Sequence, residues 1–160
     1  MTITSIDEGD WTAILKLEAD AYSEIEPESL ETLRSRWLVS PEYCFVYRTG
    51  GDVAAYLLAH PWHSLPPPTL FKPPALDTHG DMLFIHDLVV AREHAGKGVG
   101  RLMIEHLLRE TCLACFSKIT LVAVQRSAAF WAKFEFEPLE NIPLSDSYGE
   151  NPKLMQRFIR

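Results

Sequence analysis

The chain has 160 residues, 47% of them apolar and 23% charged, which is enough to form one sizeable core and excludes an intrinsically disordered chain. A formal charge of −7 disfavours a nucleic-acid partner, because phosphate binding rests on Lys and Arg releasing counterions, and suits a cationic ligand better. The longest apolar runs fall well short of the ~20 residues that span a bilayer, so no membrane insertion is expected.

In chain order, a short strand over 1–6 precedes Asp10, which is placed to N-cap an apolar-periodic helix from Trp11 to Tyr22. The acidic segment 24–28 interrupts, and a second helix runs from about Ser29 to Leu38, stopped by Ser40-Pro41. Tyr43 to Arg48 and Val53 to His60 read as an antiparallel pair joined at Thr49-Gly50-Gly51-Asp52. Residues 61–80 hold six of the eleven prolines and read as an extended loop, either a lid or acceptor loop or a merely variable one. Met82 to Val90 is nearly continuously apolar, interrupted only by His86 and Asp87, as expected of a central strand buried on both faces. On strict alternation His86 shares a face with Phe84 and Leu88, and Asp87 points to the opposite face in a structural hydrogen bond.

A helix from Arg101 to about Cys115, a strand over Lys118–Val124, a short helix over Ser127–Phe134 and strands near Phe136–Leu139 and Lys153–Ile159 follow. The order predicts one α/β domain spanning 1–160 and built on a mixed sheet. Cys44, Cys112 and Cys115 give an odd count without a signal peptide, read as reduced thiols in the cytoplasm. The C-x-x-C of Cys112 and Cys115 has no second pair and no His spaced for zinc, so no metal is expected.

The segment that carries chemistry is Gly96-Lys97-Gly98-Val99-Gly100-Arg101, between the buried strand and the helix. Glycine lets successive N–H groups turn toward a ligand with no Cβ in the way, and the helix N-terminus adds unsatisfied donors. A diphosphate suits such a place, although a glycine-rich turn that only joins strand to helix is the plain alternative. The dinucleotide pattern G-x-G-x-x-G fails in both registers, at Arg101 and at Met103, and the chain has no Gly-Lys-Ser or Gly-Lys-Thr for a triphosphate loop.

His86-Asp87-Leu88-Val89-Val90 followed by this loop resembles the acetyl-CoA motif of the GNAT superfamily of N-acetyltransferases. Gly98 and Gly100 match the last two fixed positions of its [QR]-x-x-G-x-[GA] pattern, and Ala95 replaces the usual Arg or Gln. Phe130-Trp131-Ala132-Lys133-Phe134-Glu135-Phe136 is similar to the family's Phe-Tyr-x-[KR]-x-Gly-Phe, with Trp131 for Tyr and Glu135 for Gly. The resemblance covers nearly the whole chain.

It implies a GNAT fold, with about seven strands, four helices and a splayed strand pair. It also implies acetyl transfer from acetyl-CoA to a primary amine, here expected to be a small cationic molecule, by direct transfer without a metal. The cofactor residues it implies are Leu88, Val89 and Val90 along the pantetheine arm, and Ala95, Gly96, Lys97, Gly98, Val99, Gly100 and Arg101 around the diphosphate. Ser127, Phe130, Trp131 and Lys133 complete the set. His86 lies where many members carry a catalytic Glu or His, and is the candidate base. A Trp cannot protonate the departing thiolate as the family's Tyr does, which leaves Tyr148 as the candidate acid.

Tyr22, Glu24, Glu26, Trp62 and His63 are the acceptor-site candidates, and Glu24, Glu26 and Glu28 form a cluster able to attract an ammonium group or simply to be solvated. Glu135 has no functional account. A CoA-binding module without turnover, and acetylation of a protein N-terminus or lysine, remain alternatives. Many members are dimers, which leaves a homodimer open.

Overall fold

A computed structural model of the protein describes residues 2–22, 27–68, 80–112 and 116–159. Seven strands form one sheet: β1 (Thr2–Ser5), β2 (Phe45–Thr49), β3 (Asp52–Trp62), β4 (Met82–Val90), β5 (Lys118–Ala123), β6 (Glu137–Pro138) and β7 (Lys153–Phe158). Their order across the sheet is β1-β2-β3-β4-β5-β7-β6, which puts β4 at the centre. Every pairing is antiparallel except β4 with β5. Among the described residues four α-helices accompany the sheet: α1 (Trp11–Ala21), α2 (Leu30–Val39), α3 (Val99–Cys112) and α4 (Ala128–Ala132). The element order expected from the sequence is the order found.

The helices divide between the two faces. Ile14 of α1 and Leu33 of α2 pack on Val46, Tyr56, Leu58 and Val89, whereas Met103, Ile104 and Leu107 of α3 pack with Trp131 and Phe134 on Leu57, Leu83, Ile85 and Ile119. Cys44 is buried in the first layer, its thiol directed at the Ser40 and Ala59 carbonyls, and burial pushes its pKa up to about 12. Gly50 and Gly51 both adopt positive φ (59° and 87°), the requirement of the tight β2–β3 turn.

Three local readings change. Asp10 does not cap α1 with its side chain. It accepts both guanidinium bonds of Arg48 (2.8 and 2.7 Å) and the Asp7 N–H, a long-range pairing that outweighs the cap. β3 runs on through Pro61 and Trp62, because Leu83 and Met82 of β4 extend far enough to pair with them. The strand β4 is also not regular: Leu58 faces Asp87 while Ala59 faces Ile85, so His86 is an extra residue, a β-bulge.

That bulge resets the alternation of side chains. His86 and Asp87 both lie on the α1/α2 face, not on opposite faces, and Leu88 joins the α3 face instead of sharing one with His86. Among the described residues no helix is long and apolar enough to cross a membrane.

Candidate active site

The β4–β5 ladder runs only from Met82↔Lys118 to Ile85↔Leu121. Beyond it β5 continues against β7 and β4 against β3, so the facing edges of 86–90 and 122–123 are not paired with each other. The gap opens into a cavity of about 560 Å³. Its walls are β4 from Ile85 to Val90, the loop and first turn of α3, the end of β5 and the α4 segment.

Gly96 and Gly98 adopt φ of +75° and +82°, and a Cβ at either would meet nothing within 4 Å. Both facts favour glycine: the backbone shape disfavours side chains, and the space they would fill stays open for a ligand. The first N–H groups of α3, at Val99, Gly100 and Arg101, have no acceptor within their own helix. Positive-φ turns leading into a free helix N-terminus can hold a diphosphate. The residues present therefore fit a coenzyme with a diphosphate and a long extended arm.

The proposed cofactor residues at 88–90, 95–96, 98–101, 127, 130, 131 and 133 all lie on the cavity wall, as does Tyr22. Lys97 does not, and is exposed. Trp62 and His63 stack on each other away from the cavity, with Trp62 Nε1 donating to the Pro66 carbonyl at 2.8 Å. Tyr148 is buried but off the cavity wall. Its hydroxyl donates to the Pro68 carbonyl, and burial raises its pKa, which weakens it as an acid. Glu24, Glu26 and Cys115 lie outside the described residues. Glu135 takes φ of 65° and pairs with Arg157 at 3.1 Å, so the position usually held by glycine keeps its left-handed backbone.

Behind the β4 bulge lies a charged network that sequence reading did not assemble. Arg36 of α2 donates from both terminal nitrogens to Glu28 (2.8 and 2.7 Å), and His86 Nε2 lies 2.8 Å from the same carboxylate. All three side chains are 4% exposed or less. Glu28 is therefore a buried partner and not a member of a solvated cluster or a lure for ammonium. Burial alone would raise its pKa, but the bonds from His86 and Arg36 outweigh that and hold the carboxyl well below the usual range.

The Glu28 N–H donates to the Glu18 carboxyl (3.1 and 3.2 Å), whose own pKa is pushed up to about 8 by burial and by the charge of Asp87. Asp87 accepts the hydroxyls of Tyr22 (2.7 Å) and Tyr56 (3.1 Å), and burial raises its pKa too. The ligand atoms of Glu28, His86 and Asp87 lie within 4.8 Å of one another, a spacing a cation could use. Their oxygens already accept from Arg36, His86, Tyr22 and Tyr56, donors that any cation would have to displace.

His86 itself is asymmetric. Its residue is part-exposed on the cavity wall while its side chain is 1% exposed, so the backbone forms the wall and the imidazole sits behind it. Its Nδ1 has no hydrogen-bond partner among the described residues. His60, stacked beside it at 6.5 Å, directs Nδ1 at the Pro61 carbonyl, its Nε2 has no hydrogen-bond partner among the described residues, and burial lowers its pKa to about 4. Two further residues missed in the sequence tie the loops after β4 and β5 to the end of α1. Arg92 and Gln125, from the loops on either side, donate to the Asp20 and Ala21 carbonyls at the end of α1 (2.9 and 3.0 Å). A single polar residue in a loop carries no sequence signal for such a contact.

The chain resembles many solved structures of one fold. It is similar to the loading GNATL domain of CurA from Lyngbya majuscula (TM-score 0.84, 14% identity, 99% of this chain and 97% of that one). It is also similar to the ribosomal-protein-S18-alanine N-acetyltransferase of Escherichia coli (0.71, 21%, 99% and 93%). A third likeness is to Arabidopsis thaliana Naa50 bound to the bisubstrate analogue CoA-Ac-MVNAL (0.76, 12%, 98% and 97%). No curated protein sequence matches the chain. The model of the acetyltransferase (GNAT) family matches residues 11–136. With the parted strands and the glycine turn in place, that match identifies the chain as a member of the GNAT acetyltransferase family, an acyltransferase.

Proposed function

We propose that the protein transfers an acetyl group from acetyl-CoA directly to a primary amine, with a small cationic molecule as the acceptor. The observation that carries this reading is the parting of β4 from β5 after Ile85, beside the open glycine turn at 96–98. Acetyl-CoA supplies the activated acyl thioester. Backbone amides of 96–101 hold its diphosphate, the unpaired backbone of Leu88, Val89 and Val90 aligns its arm, and Trp131 and Phe130 enclose it from α4. Arg101, on the cavity wall, adds positive charge.

An acceptor ammonium must lose a proton before its nitrogen can attack. His86 takes that proton, reached through water because its ring lies behind the wall. The negative charge of the chain favours a cationic acceptor.

The test is release of free CoA thiol from acetyl-CoA with a panel of small amines and of N-terminal and lysine peptides. Acceptor-dependent release with a small polyamine or lysine-like amine is the expected result. Release only with peptides would move the acceptor class to proteins, and tight CoA binding by calorimetry with no release would make the chain a binding module. His86→Ala should lower turnover by about tenfold or more while leaving CoA affinity within twofold.

A further inference from the structure

We propose that Glu28, gripped by Arg36, is the positioning residue that keeps the His86 proton on Nε2 and its lone pair on Nδ1. This rests on the reading of His86 as proton acceptor. An ionised carboxylate only accepts hydrogen bonds, so at 2.8 Å from Glu28 the Nε2 of His86 must be the donor. A neutral imidazole carries one proton, and its other nitrogen then holds the free pair. That nitrogen, Nδ1, is the buried one with no partner among the described residues. A base needs an available lone pair and a group that fixes which nitrogen carries it.

The carboxylate is itself held in place. Two parallel bonds from Arg36 fix its plane, and its backbone N–H is anchored on Glu18, so it does not swing away when His86 changes charge. Arg36 also holds the negative charge on Glu28 that stabilises a transient imidazolium. Among the described residues the other titratable groups of this network are Glu18 from α1, Tyr22 at its C-cap, Tyr56 and His60 from β3, Asp87 from β4 itself, and Tyr148 from the loop before β7. Asp87 is occupied by two tyrosine hydroxyls and His60 is kept neutral by burial, which leaves Glu28 as the carboxylate bonded to the imidazole.

Long-range proton–nitrogen NMR on protein labelled at histidine nitrogens reads the tautomer without reference to activity, with His86→Gln identifying the signal. In the neutral wild-type ring the proton should sit on Nε2. Glu28→Gln should admit the Nδ1–H form, alter the pH profile of kcat/KM, and lower kcat about tenfold or more. KM for acetyl-CoA should stay within twofold, and Glu28→Asp should restore part of kcat.

An Nδ1–H ring or a doubly protonated ring in the wild type overturns the proposal, and needs no variant of Glu28 to fold. So does a Glu28→Gln enzyme, melting cooperatively, whose tautomer and pH profile match the wild type. Full turnover by His86→Ala sinks the proton-acceptor reading beneath it. A wrong tautomer together with an inactive His86→Ala sinks the positioning role alone.

Discussion

The two halves of β4, Met82–Ile85 and His86–Val90, end in opposite situations. Met82 to Ile85 is bonded on both edges, to β3 and to β5, and all four side chains are buried. His86 to Val90 keeps only β3 and forms the wall of the cleft. Hydrophobicity alone does not separate them, because Leu88, Val89 and Val90 are as apolar as Met82 to Ile85. The bulge at His86 does, together with a partner strand that stays with β7 and leaves β4. A strand can thus be paired on both edges for four residues and form the wall of a cleft over the next five, with one inserted residue marking the change.

The comparison can be broken most severely at Leu83, which is fully buried in the paired half. Leu83→Ala should cost about 3 kcal/mol in urea denaturation, whereas Leu88→Ala, half-buried on the cleft, should cost about 1 kcal/mol or less. Equal losses would mean that the two halves do not differ as the pairing says.

The pH dependence of stability sharpens it next, because the network behind the second half contains groups shifted in opposite directions. Glu18 is raised to about 8, so its contribution is complete below the ordinary carboxyl range and is lost as pH rises toward 8. His60 is lowered to about 4, so its contribution is complete above about 6.5 and is lost as pH falls toward 4. Thermal melts should therefore peak between about pH 5 and 6.5. Glu18→Gln should recover about 2 kcal/mol at pH 9 and nothing at pH 4, after allowance for solvent screening. An unchanged alkaline limb in that variant would remove Glu18 as the cause.

A comparably small effect on stability should come at the turn that faces the open half. Gly98→Val places a side chain at φ +82° in empty space, which should cost about 1 kcal/mol in stability. CoA affinity by calorimetry should fall about tenfold or more, because the new side chain enters the space proposed for the diphosphate. Unaltered affinity would take the cradle away from residues 96–98.

Most of the fold was legible because its signals are local. Helical and strand periods gave the element order, Gly50-Gly51 marked the hairpin, and the glycine spacing after Val90 marked the positive-φ turn into α3. The network behind His86 was not legible, for reasons that are equally physical. Glu28 is brought to His86 across 58 positions, and Arg36 falls on the buried face of α2 beside Leu33, where a charge ordinarily signals solvent. Strict alternation also misplaced Asp87, since a bulge leaves no mark in a run such as Phe-Ile-His-Asp-Leu. Asp10 failed as a cap because Arg48, 38 residues away, competed for it.

The enclosed thiol of Cys44 has a practical use. With no exposure and a pKa near 12, it is a poor target for alkylating or disulfide reagents while the α1/α2 layer stays shut. Its labelling rate is therefore a clock for opening of that layer, readable by mass spectrometry on the same samples. In a colorimetric assay of coenzyme release, its contribution to the background should stay negligible over the course of turnover.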